Sequence, residues 1–174
     1  EAPAAAWLAL PGQLPPADWP AALAAAAGVA VRAGRGALVV LPDHRDVARV
    51  DAQLTARLGH GQHVRLTADQ GPQARYTAWL KVLRGQVRCV VGTRAAAFAP
   101  IHDPGLLAWW DDGDDLHDEP RAPYPHVREI LAMRAQAEGA ALLAGAFARS
   151  VPVQGWVEGG RLLPIRAAPG TVRA

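Results

Sequence analysis

Short apolar runs recur along most of the chain, at residues 37–41, 63–67, 87–91, 106–110 and 140–144. Each run is bounded by glycine, proline or polar residues, and several are rich in Val and Leu. Runs of this length and composition are typical of strands that are buried on both faces of a sheet. The pattern therefore predicts five strands.

Segments with helical periodicity lie between these runs. Apolar residues recur every three or four positions from Val47 to Leu58, after Asp43 and before Gly59. Asp is a favoured N-cap residue and Gly a favoured terminator, so this segment predicts a complete helix. Two later segments show the same spacing, with apolar positions at Tyr76, Trp79, Leu80 and Leu83, and then at Val127, Ile130, Leu131 and Ala135.

Alternating strands and helices predict an α/β fold. Strand-helix-strand units need crossover connections, and these give a parallel sheet with helices on both faces. Ligands of such sheets bind beyond the carboxyl ends of the strands. The loops expected there are Pro42-Asp43, Gly92-Thr93-Arg94, Asp111-Asp112 and Gly145-Ala146.

Length and composition narrow the class of protein. A chain of 174 residues corresponds to about one domain. With 51% hydrophobic and 20% charged residues it is neither a collagen, a coiled coil nor a disordered chain. No apolar run has the roughly 18 residues of a membrane span, and no basic leader is present, so we expect a cytoplasmic protein. The lone Cys89 excludes a disulfide framework or a four-cysteine zinc site within these residues.

The net charge of the chain is +2, but acidic and basic residues are unevenly distributed along the sequence. Six of the 16 acidic residues lie in residues 111–119, and outside that stretch basic residues exceed acidic ones by eight. A basic body of this kind suggests an anionic partner. Arg accounts for 17 of the 18 basic residues. The alternative is that these Arg side chains are ordinary solvated surface residues and reflect only the protein's amino-acid usage.

One segment carries a specific family resemblance. Residues 92–100, GTRAAAFAP, are similar to the G-T-R-S-A-L-F-A-P motif of the primosomal protein N-prime (PriA) family of replication-restart helicases in superfamily 2. Residues 83–91, LRGQVRCVV, also resemble the segment that precedes this motif in the family. Further likenesses are Leu41-Pro42-Asp43 to V-P-E, and Tyr124, His126, Arg128 and Glu129 to Y-H-A-R-D with one residue inserted.

The resemblance runs from about residue 37 to residue 150 and implies both a fold and a function. It implies a RecA-like (P-loop NTPase-like) first motor lobe over residues 1–150. Residues 151–174 are rich in Gly and Pro, and we expect only short strands there, such as 161–166, in a segment leading toward a missing second lobe. The family's role implies replication restart, with branched or single-stranded DNA and replication-restart proteins as partners.

The family's ATP-binding loop is poorly matched. Motors of this class use G-x-x-x-x-G-K-S/T, whose backbone N–H groups and Lys hold the phosphates. The matching stretch, residues 10–20, contains Pro11, Gly12 and Gln13 but no Lys, Ser or Thr. We expect Asp18 to cap the following helix and so place a carboxylate where a phosphate would lie. The sequence therefore predicts loss of the ATP and Mg²⁺ that the family implies; the family's zinc module is also absent from these residues.

Two further ATPase motifs are altered. The family's D-E-E-H becomes Asp111-Asp112-Gly113-Asp114, in which a shorter carboxylate beside a glycine should position an attacking water poorly. Its G-S-A-T-P-S becomes residues 145–150, GAFARS, which we expect to lose the hydroxyls of that motif. We therefore assign no catalytic residue, and treat Asp111 and Asp112 as degenerate positions.

The DNA side of the resemblance is better preserved. Thr93 and Arg94 follow a strand and suit contact with a phosphate backbone. The alternative for Arg94 is a structural ion pair with an acid of the same lobe. His44 and Arg45 begin a helix, and a helix N-terminus is a place where a phosphate can bind. A helix start that contacts only solvent is an equally good interpretation.

Three other functions remain open at this point. The first is an active ATP-dependent DNA helicase, when the rest of the protein is present. The second is a protein-interaction scaffold, and the third is a Mg²⁺-dependent phosphohydrolase. The last would hold Mg²⁺ through carboxylate oxygens of residues 111–119, a stretch that also contains His117. We expect that loop to be solvated and free of metal. The tryptophans predict core or inter-domain packing more than base stacking.

Overall fold

The computed structural model describes residues 2–168 and Thr171. The strands are β1 (Ala4–Leu8), β2 (Gly36–Val40), β3 (Val64–Leu66), β4 (Cys89–Gly92), β5 (Pro104–Trp110), β6 (Ala141–Ala146) and β7 (Leu163–Ile165). The helices are α1 (Trp19–Arg32), α2 (His44–Leu58), α3 (Pro72–Leu83), α4 (Val127–Glu138) and α5 (Val151–Glu158), with short 3-10 turns at Ala68–Gln70, Arg94–Phe98 and Asp115–His117. Among the described residues, no helix combines the length and apolarity needed to cross a bilayer.

The strands form one parallel sheet in the order β3-β4-β2-β5-β6-β1-β7. All five predicted strands are present, each within two residues of its expected ends. Helices cover both faces of the sheet. Side chains of the central strands alternate between two separate apolar cores, one on each face. The predicted α/β class, with a parallel sheet between helical layers, is confirmed.

The central strand β2 shows why the sheet is buried on both sides. Leu38 and Val40 point into the core beneath α3, α4 and α5, whereas Ala37 and Val39 point into the core beneath α1 and α2. None of these four side chains is exposed to solvent. This continuous burial explains why an unbroken apolar run, and not an alternating one, encodes the strand.

The helix ends follow the predicted capping chemistry. The Asp43 carboxylate accepts hydrogen bonds from the backbone N–H groups of Arg45 and Asp46 at 2.8 and 2.9 Å. Gly59 ends α2 with a φ of +92°, and Gly139 ends α4 in the left-handed conformation. The local sequence therefore fixes where these helices begin and end.

Two parts of the sheet differ from the sequence expectation. The run that forms β1 is mostly alanine and lacks the β-branched residues that signal a strand, yet it lies between β6 and β7. Residues 151–165 contain a helix as well as a short strand, so the expectation of short strands alone is wrong. Ser150 caps α5, and Pro152 is tolerated because it lies in the first turn.

The pairing of β7 with β1 makes this stretch part of the same sheet as residues 4–146. That the chain then leads toward a second lobe stays a prediction. Pro169, Gly170 and residues 172–174 of that predicted segment lie outside the described residues.

Candidate functional site

The loops that follow β2, β3 and β4 surround an open cleft of about 480 Å³ at the carboxyl edge of the sheet. His44, Thr93 and Arg94, predicted as DNA contacts, all line it, whereas Arg45 is exposed on α2 outside its lining. The full lining is Pro42, Asp43, His44, Thr67, Ala68, Asp69, Arg75, Thr93, Arg94, Ala95 and Leu116. The fold thus brings together residues that are as far apart in the sequence as Pro42 and Leu116.

Gly92 fixes the position of Thr93 in this cleft. A Cβ on Gly92 would lie well inside van der Waals contact of the Leu66 carbonyl oxygen and 2.7 Å from the Ala96 Cβ. The absent side chain lets β3 approach β4, and the Thr93 N–H donates to that Leu66 oxygen at 3.3 Å. Gly92 is therefore required by strand packing, and not only by access to the backbone of the G-T-R run.

Arg94 is tied to the acidic loop. Its Nε lies 3.2 Å from Glu119 Oε2, and its Nη1 donates to the carbonyl oxygens of Leu116 at 3.2 Å and Asp118 at 2.8 Å. The side chain is 30% exposed. Arg94 thus forms the ion pair within the lobe that sequence reasoning raised as its alternative role, and it also presents part of its guanidinium to the cleft.

Asp112 anchors the loop from inside the protein. It is 5% exposed, and its carboxylate accepts hydrogen bonds from Trp109 Nε1 at 2.8 Å, Arg128 Nη1 at 2.5 Å and the Ser150 hydroxyl. Both carboxylate oxygens are engaged, so neither is free to orient a water molecule. The expectation that residues 145–150 lose every hydroxyl function is wrong, since Ser150 still joins the third motif to the second.

His117 is the second buried member of this loop. Its ring is fully buried, and its Nε2–H donates to the Trp110 carbonyl oxygen at 2.7 Å. Desolvation by burial lowers the pKa of His117, and the ring of His126 lies 5.8 Å away, centroid to centroid. A neutral imidazole is therefore favoured inside the loop.

The prediction of a fully solvated acidic loop is accordingly wrong for Asp112 and His117. Asp111, by contrast, is an exposed residue at a φ of +58°. Partial burial, and then the neighbouring Asp114, raise the pKa of Asp111. Among residues 2–168 and Thr171, no group of three or more His, Cys, Asp or Glu side chains is arranged to hold a metal ion.

The loop between β1 and α1 contains the residues predicted to form a degenerate phosphate-binding loop. Pro11, Gly12 and Gln13 lie in an exposed turn, in which Gly12 has a φ of +73°. Asp18 is the N-cap of α1 and accepts a hydrogen bond from the Ala21 N–H at 3.3 Å. A carboxylate therefore occupies the helix N-terminus.

Aromatic side chains fill the space behind this loop. Trp19 stacks on Trp110 with ring centroids 4.2 Å apart and an angle of 7° between planes. Trp7 lies 5.9 Å from the Trp110 ring, and Phe147 meets its edge at 5.1 Å. A Cβ on Gly145 would lie only 3.0 Å from the same indole. The carboxyl ends of β1, β5 and β6 thus converge on packed rings.

Sequence reasoning missed three residues of these sites. Arg128 and Ser150 are remote in sequence from Asp112, whose carboxylate they bind. The sequence singled out Arg128 only through its resemblance to the R of Y-H-A-R-D. Arg75, which lines the cleft, had a signal of its own. It opens a series of five basic residues within residues 70–102, a stretch without Asp or Glu.

The parallel sheet and its two helical layers form a RecA-like lobe. The structure is similar to the C-terminal domain of Saccharomyces cerevisiae Dbp5 bound to Gle1 and IP6, with a TM-score of 0.59 and 9% identity, over 96% of this chain and 90% of that one. It is also similar to the DUF1998 helicase MrfA bound to DNA, with a TM-score of 0.53 and 13% identity, over 82% of this chain and 20% of that one. At these identities the likenesses show the fold.

Sequence comparison is more specific. The chain is 44% identical over 170 residues to the probable replication restart protein PriA of Mycobacterium leprae, covering 98% of this chain and 26% of that protein. It is 33% identical over 157 residues to the probable PriA of Deinococcus radiodurans, covering 87% of this chain and 16% of that protein. A scan against models of protein families gives no match. In sequence the chain is similar to PriA replication restart proteins, and it spans about a quarter of the length of the first of these relatives.

Proposed function

We propose that this chain is the first motor lobe of a PriA-like replication-restart protein, and that it contacts DNA through the cleft while having lost ATP binding and hydrolysis. One observation carries the proposal. The half of the carboxyl edge formed by β2, β3 and β4 is an open cleft lined by His44, Thr93 and Arg75, whereas the half formed by β1, β5 and β6 is filled by stacked tryptophans.

The composition of the cleft supports contact with a phosphate backbone. Within the described residues neither His44 nor Arg75 is in an ion pair. The helicase MrfA, which shares the fold, is described as bound to DNA. Asp43 and Asp69 also line the cleft, and the neighbouring Thr67 hydroxyl lowers the pKa of Asp69. These acids oppose the bases, so we expect weak binding that falls as salt rises.

The nucleotide side does not fit ATP and Mg²⁺. The loop from Leu10 to Pro20 offers no Lys, Ser or Thr to the phosphates, and the Asp18 carboxylate at the N-terminus of α1 would repel them. Asp112 is committed to Arg128 and Ser150. We therefore derive no hydrolytic step for this lobe.

Assignment to the first lobe rests on the order of the loops along the chain. The residues resembling V-P-E, G-T-R and D-E-E-H follow β2, β4 and β5 in that order, and the altered phosphate loop precedes them all. Replication restart implies that the whole protein acts in the cytoplasm on branched or single-stranded DNA together with other replication-restart proteins. We assign those partners to the whole protein, because the chain spans about a quarter of the length of the first relative.

A titration of the chain with single-stranded DNA at several salt concentrations tests the proposal. Fluorescence anisotropy should show binding at low salt that weakens with a linear log-log slope. We expect Arg94→Ala to make that slope shallower by roughly one unit for every DNA sequence, because a phosphate contact carries no base information. Thr93→Val should cost about 1 kcal/mol of binding free energy, the value of one hydrogen bond.

Glu119→Gln separates the two roles of Arg94. It removes the acid 3.2 Å from the Arg94 Nε and leaves the guanidinium in place, so DNA binding should strengthen if Arg94 faces phosphate. Arg57→Ala, an exposed cation in the last turn of α2, is the matched control and should leave the affinity unchanged. Unaltered affinity in a folded Arg94→Ala variant would remove Arg94 from the interface, and absence of DNA binding by the wild type at low salt would favour the scaffold function.

A further inference from the structure

Helix α3 exposes an aromatic surface beside the cleft. The Tyr76 side chain is 64% exposed, and Trp79, three residues later, is partly buried against the core. Residues three apart lie on the same side of a helix. Tyr76 and Trp79, with Pro72 and Arg75, line a shallow pocket of about 420 Å³.

Arg75 joins this aromatic pocket to the cleft. It lines both depressions, so the Tyr76 surface begins where the proposed DNA contacts of His44 and Thr93 end. Arg75 is partly exposed and, within the described part of the chain, has no carboxylate partner. A strand lying in the cleft would meet this guanidinium before reaching the aromatic rings.

The segment that carries the aromatic surface has a net positive charge. Residues 70–102, which form α3, β4 and the turn at Arg94–Phe98, contain no Asp or Glu. They contain five basic residues: Arg75, Lys81, Arg84, Arg88 and Arg94. In the pocket itself, Arg75 lies beside Tyr76 and Trp79. A cation beside aromatic rings is a combination that binds single-stranded nucleic acid, because every base has a face that can stack.

We propose that Tyr76 is a stacking platform for an unpaired base of single-stranded DNA, with Trp79 as the floor of the pocket and Arg75 holding the adjoining phosphate. The inference rests on the proposed function and names the form of DNA that the lobe takes. Duplex DNA would not present a free base face to this pocket, so the platform selects single strands.

The test compares an oligothymidylate with an abasic oligomer of the same length, which keeps the phosphates and lacks the bases. The wild-type chain should bind the abasic oligomer about tenfold more weakly, because stacking is worth ~1–3 kcal/mol per base. Tyr76→Ala should lose about tenfold in affinity for oligothymidylate and bind the two oligomers about equally. Tyr76→Phe keeps the ring and should behave as the wild type.

Arg75→Ala should weaken both oligomers alike and make the salt slope shallower by about one unit. Met133→Ala, a 71% exposed side chain on α4, controls for the loss of an exposed apolar group and should change nothing. Circular dichroism will confirm that each variant is folded.

Two results would contradict the inference and are distinguishable from failure of the proposed function. If Arg94→Ala weakens DNA binding but Tyr76→Ala keeps the wild-type preference for bases over the abasic oligomer, the cleft binds DNA and the platform does not exist. If the wild-type chain binds neither oligomer at low salt, both the proposed function and the platform are wrong, and α3 is better explained as a surface for a protein.

Discussion

At the scale of single residues, Asp112 holds together three parts of the chain that are distant in sequence. Its carboxylate accepts from Trp109 on β5, Arg128 at the start of α4 and Ser150 at the start of α5. Arg128 is itself only 12% exposed, so each charge compensates the burial of the other. A residue expected to be a weakened catalytic acid is, in the structure, a buried structural ion.

Replacing Asp112 should therefore affect stability strongly. We expect Asp112→Ala to lower the free energy of unfolding by about 3 to 5 kcal/mol, because it leaves Arg128 buried without a partner. Asp115→Ala removes an exposed carboxylate of the same loop and should change stability by less than about 0.5 kcal/mol. Urea denaturation measures both, and equal stabilities of the two variants would contradict the structural role.

His117 gives the same loop a dependence on pH. Burial lowers the pKa of this imidazole below its ordinary value of 6.5. Above that value the folded and unfolded states both hold it neutral, and its contribution to stability is complete. As the pH falls below it, the unfolded chain takes up a proton first, so this contribution is lost. Asp112 and Asp114 oppose the shift, whereas His126 adds to it.

The free energy of unfolding should thus fall as the pH is lowered past about 6.5, with a contribution from His117 of at most about 1.4 kcal/mol per pH unit. His117→Gln should flatten the profile in that window, as measured by urea denaturation at each pH. The raised pKa values of Asp46 and Asp111 act in the opposite sense, nearer their ordinary value of 3.8. A profile identical in wild type and variant would show that His117 does not titrate differently in the two states.

At the scale of elements, the proposed DNA-binding cleft depends on how closely β3 approaches β4. The two strands pair from Val64 with Val90 to Leu66 with Gly92, and the last pair leaves no room for a side chain. The same approach sets the backbone of Thr93 at the rim of the cleft. Packing of one short edge strand therefore positions the G-T-R loop.

Gly92→Ala should destabilise the lobe, because its Cβ would meet backbone, which cannot rotate away. Overpacking of this kind costs about 1 to 3 kcal/mol. Gly113→Ala is the control, since a Cβ there meets nothing within 4 Å and should be nearly neutral. Thermal unfolding of the two variants provides the comparison, and a Gly92→Ala lobe as stable as the wild type would mean that β3 can move without cost.

At the scale of the whole molecule, one edge of one sheet has two unlike halves. Beyond β2, β3 and β4 the loops leave a polar cleft, and beyond β1, β5 and β6 they close over Trp7, Trp19 and Trp110. A nucleotide-driven motor must couple its contacts with DNA to the binding and release of the nucleotide. Here Asp112, Arg128 and Ser150 hold the corresponding loops in one arrangement.

Calorimetry of the chain with Mg-ATP should accordingly show no heat of binding, and the melting temperature should not rise with either Mg-ATP or Mg²⁺ alone. A dissociation constant in the micromolar range corresponds to about −8 kcal/mol, which would require the Asp18 and Trp19 arrangement to open. GDP or inorganic phosphate in place of ATP provides a check for unspecific anion binding. A reproducible micromolar affinity for Mg-ATP would favour the active helicase.

Elements that local chemistry specifies could be predicted from the amino-acid sequence. Apolar runs such as residues 37–41 marked the buried strands, and Asp43 with Gly59 marked the ends of α2, because capping and burial on both faces are written in neighbouring residues. The motif at residues 92–100 indicated the relationship that the PriA proteins show over nearly the whole chain. The absence of Lys from the loop before α1 could likewise be read directly.

Only the tertiary structure decided which residues meet. An alanine-rich β1 becomes a strand because β6 and β7 supply its hydrogen bonds, and no local preference signals that pairing. Asp112 becomes a buried anchor because α4 and α5 bring Arg128 and Ser150 to it, and Arg94 gains an acid 25 positions away in Glu119. Such contacts depend on how crossovers bring distant loops to one edge of the sheet, and spacing along the chain does not contain that information.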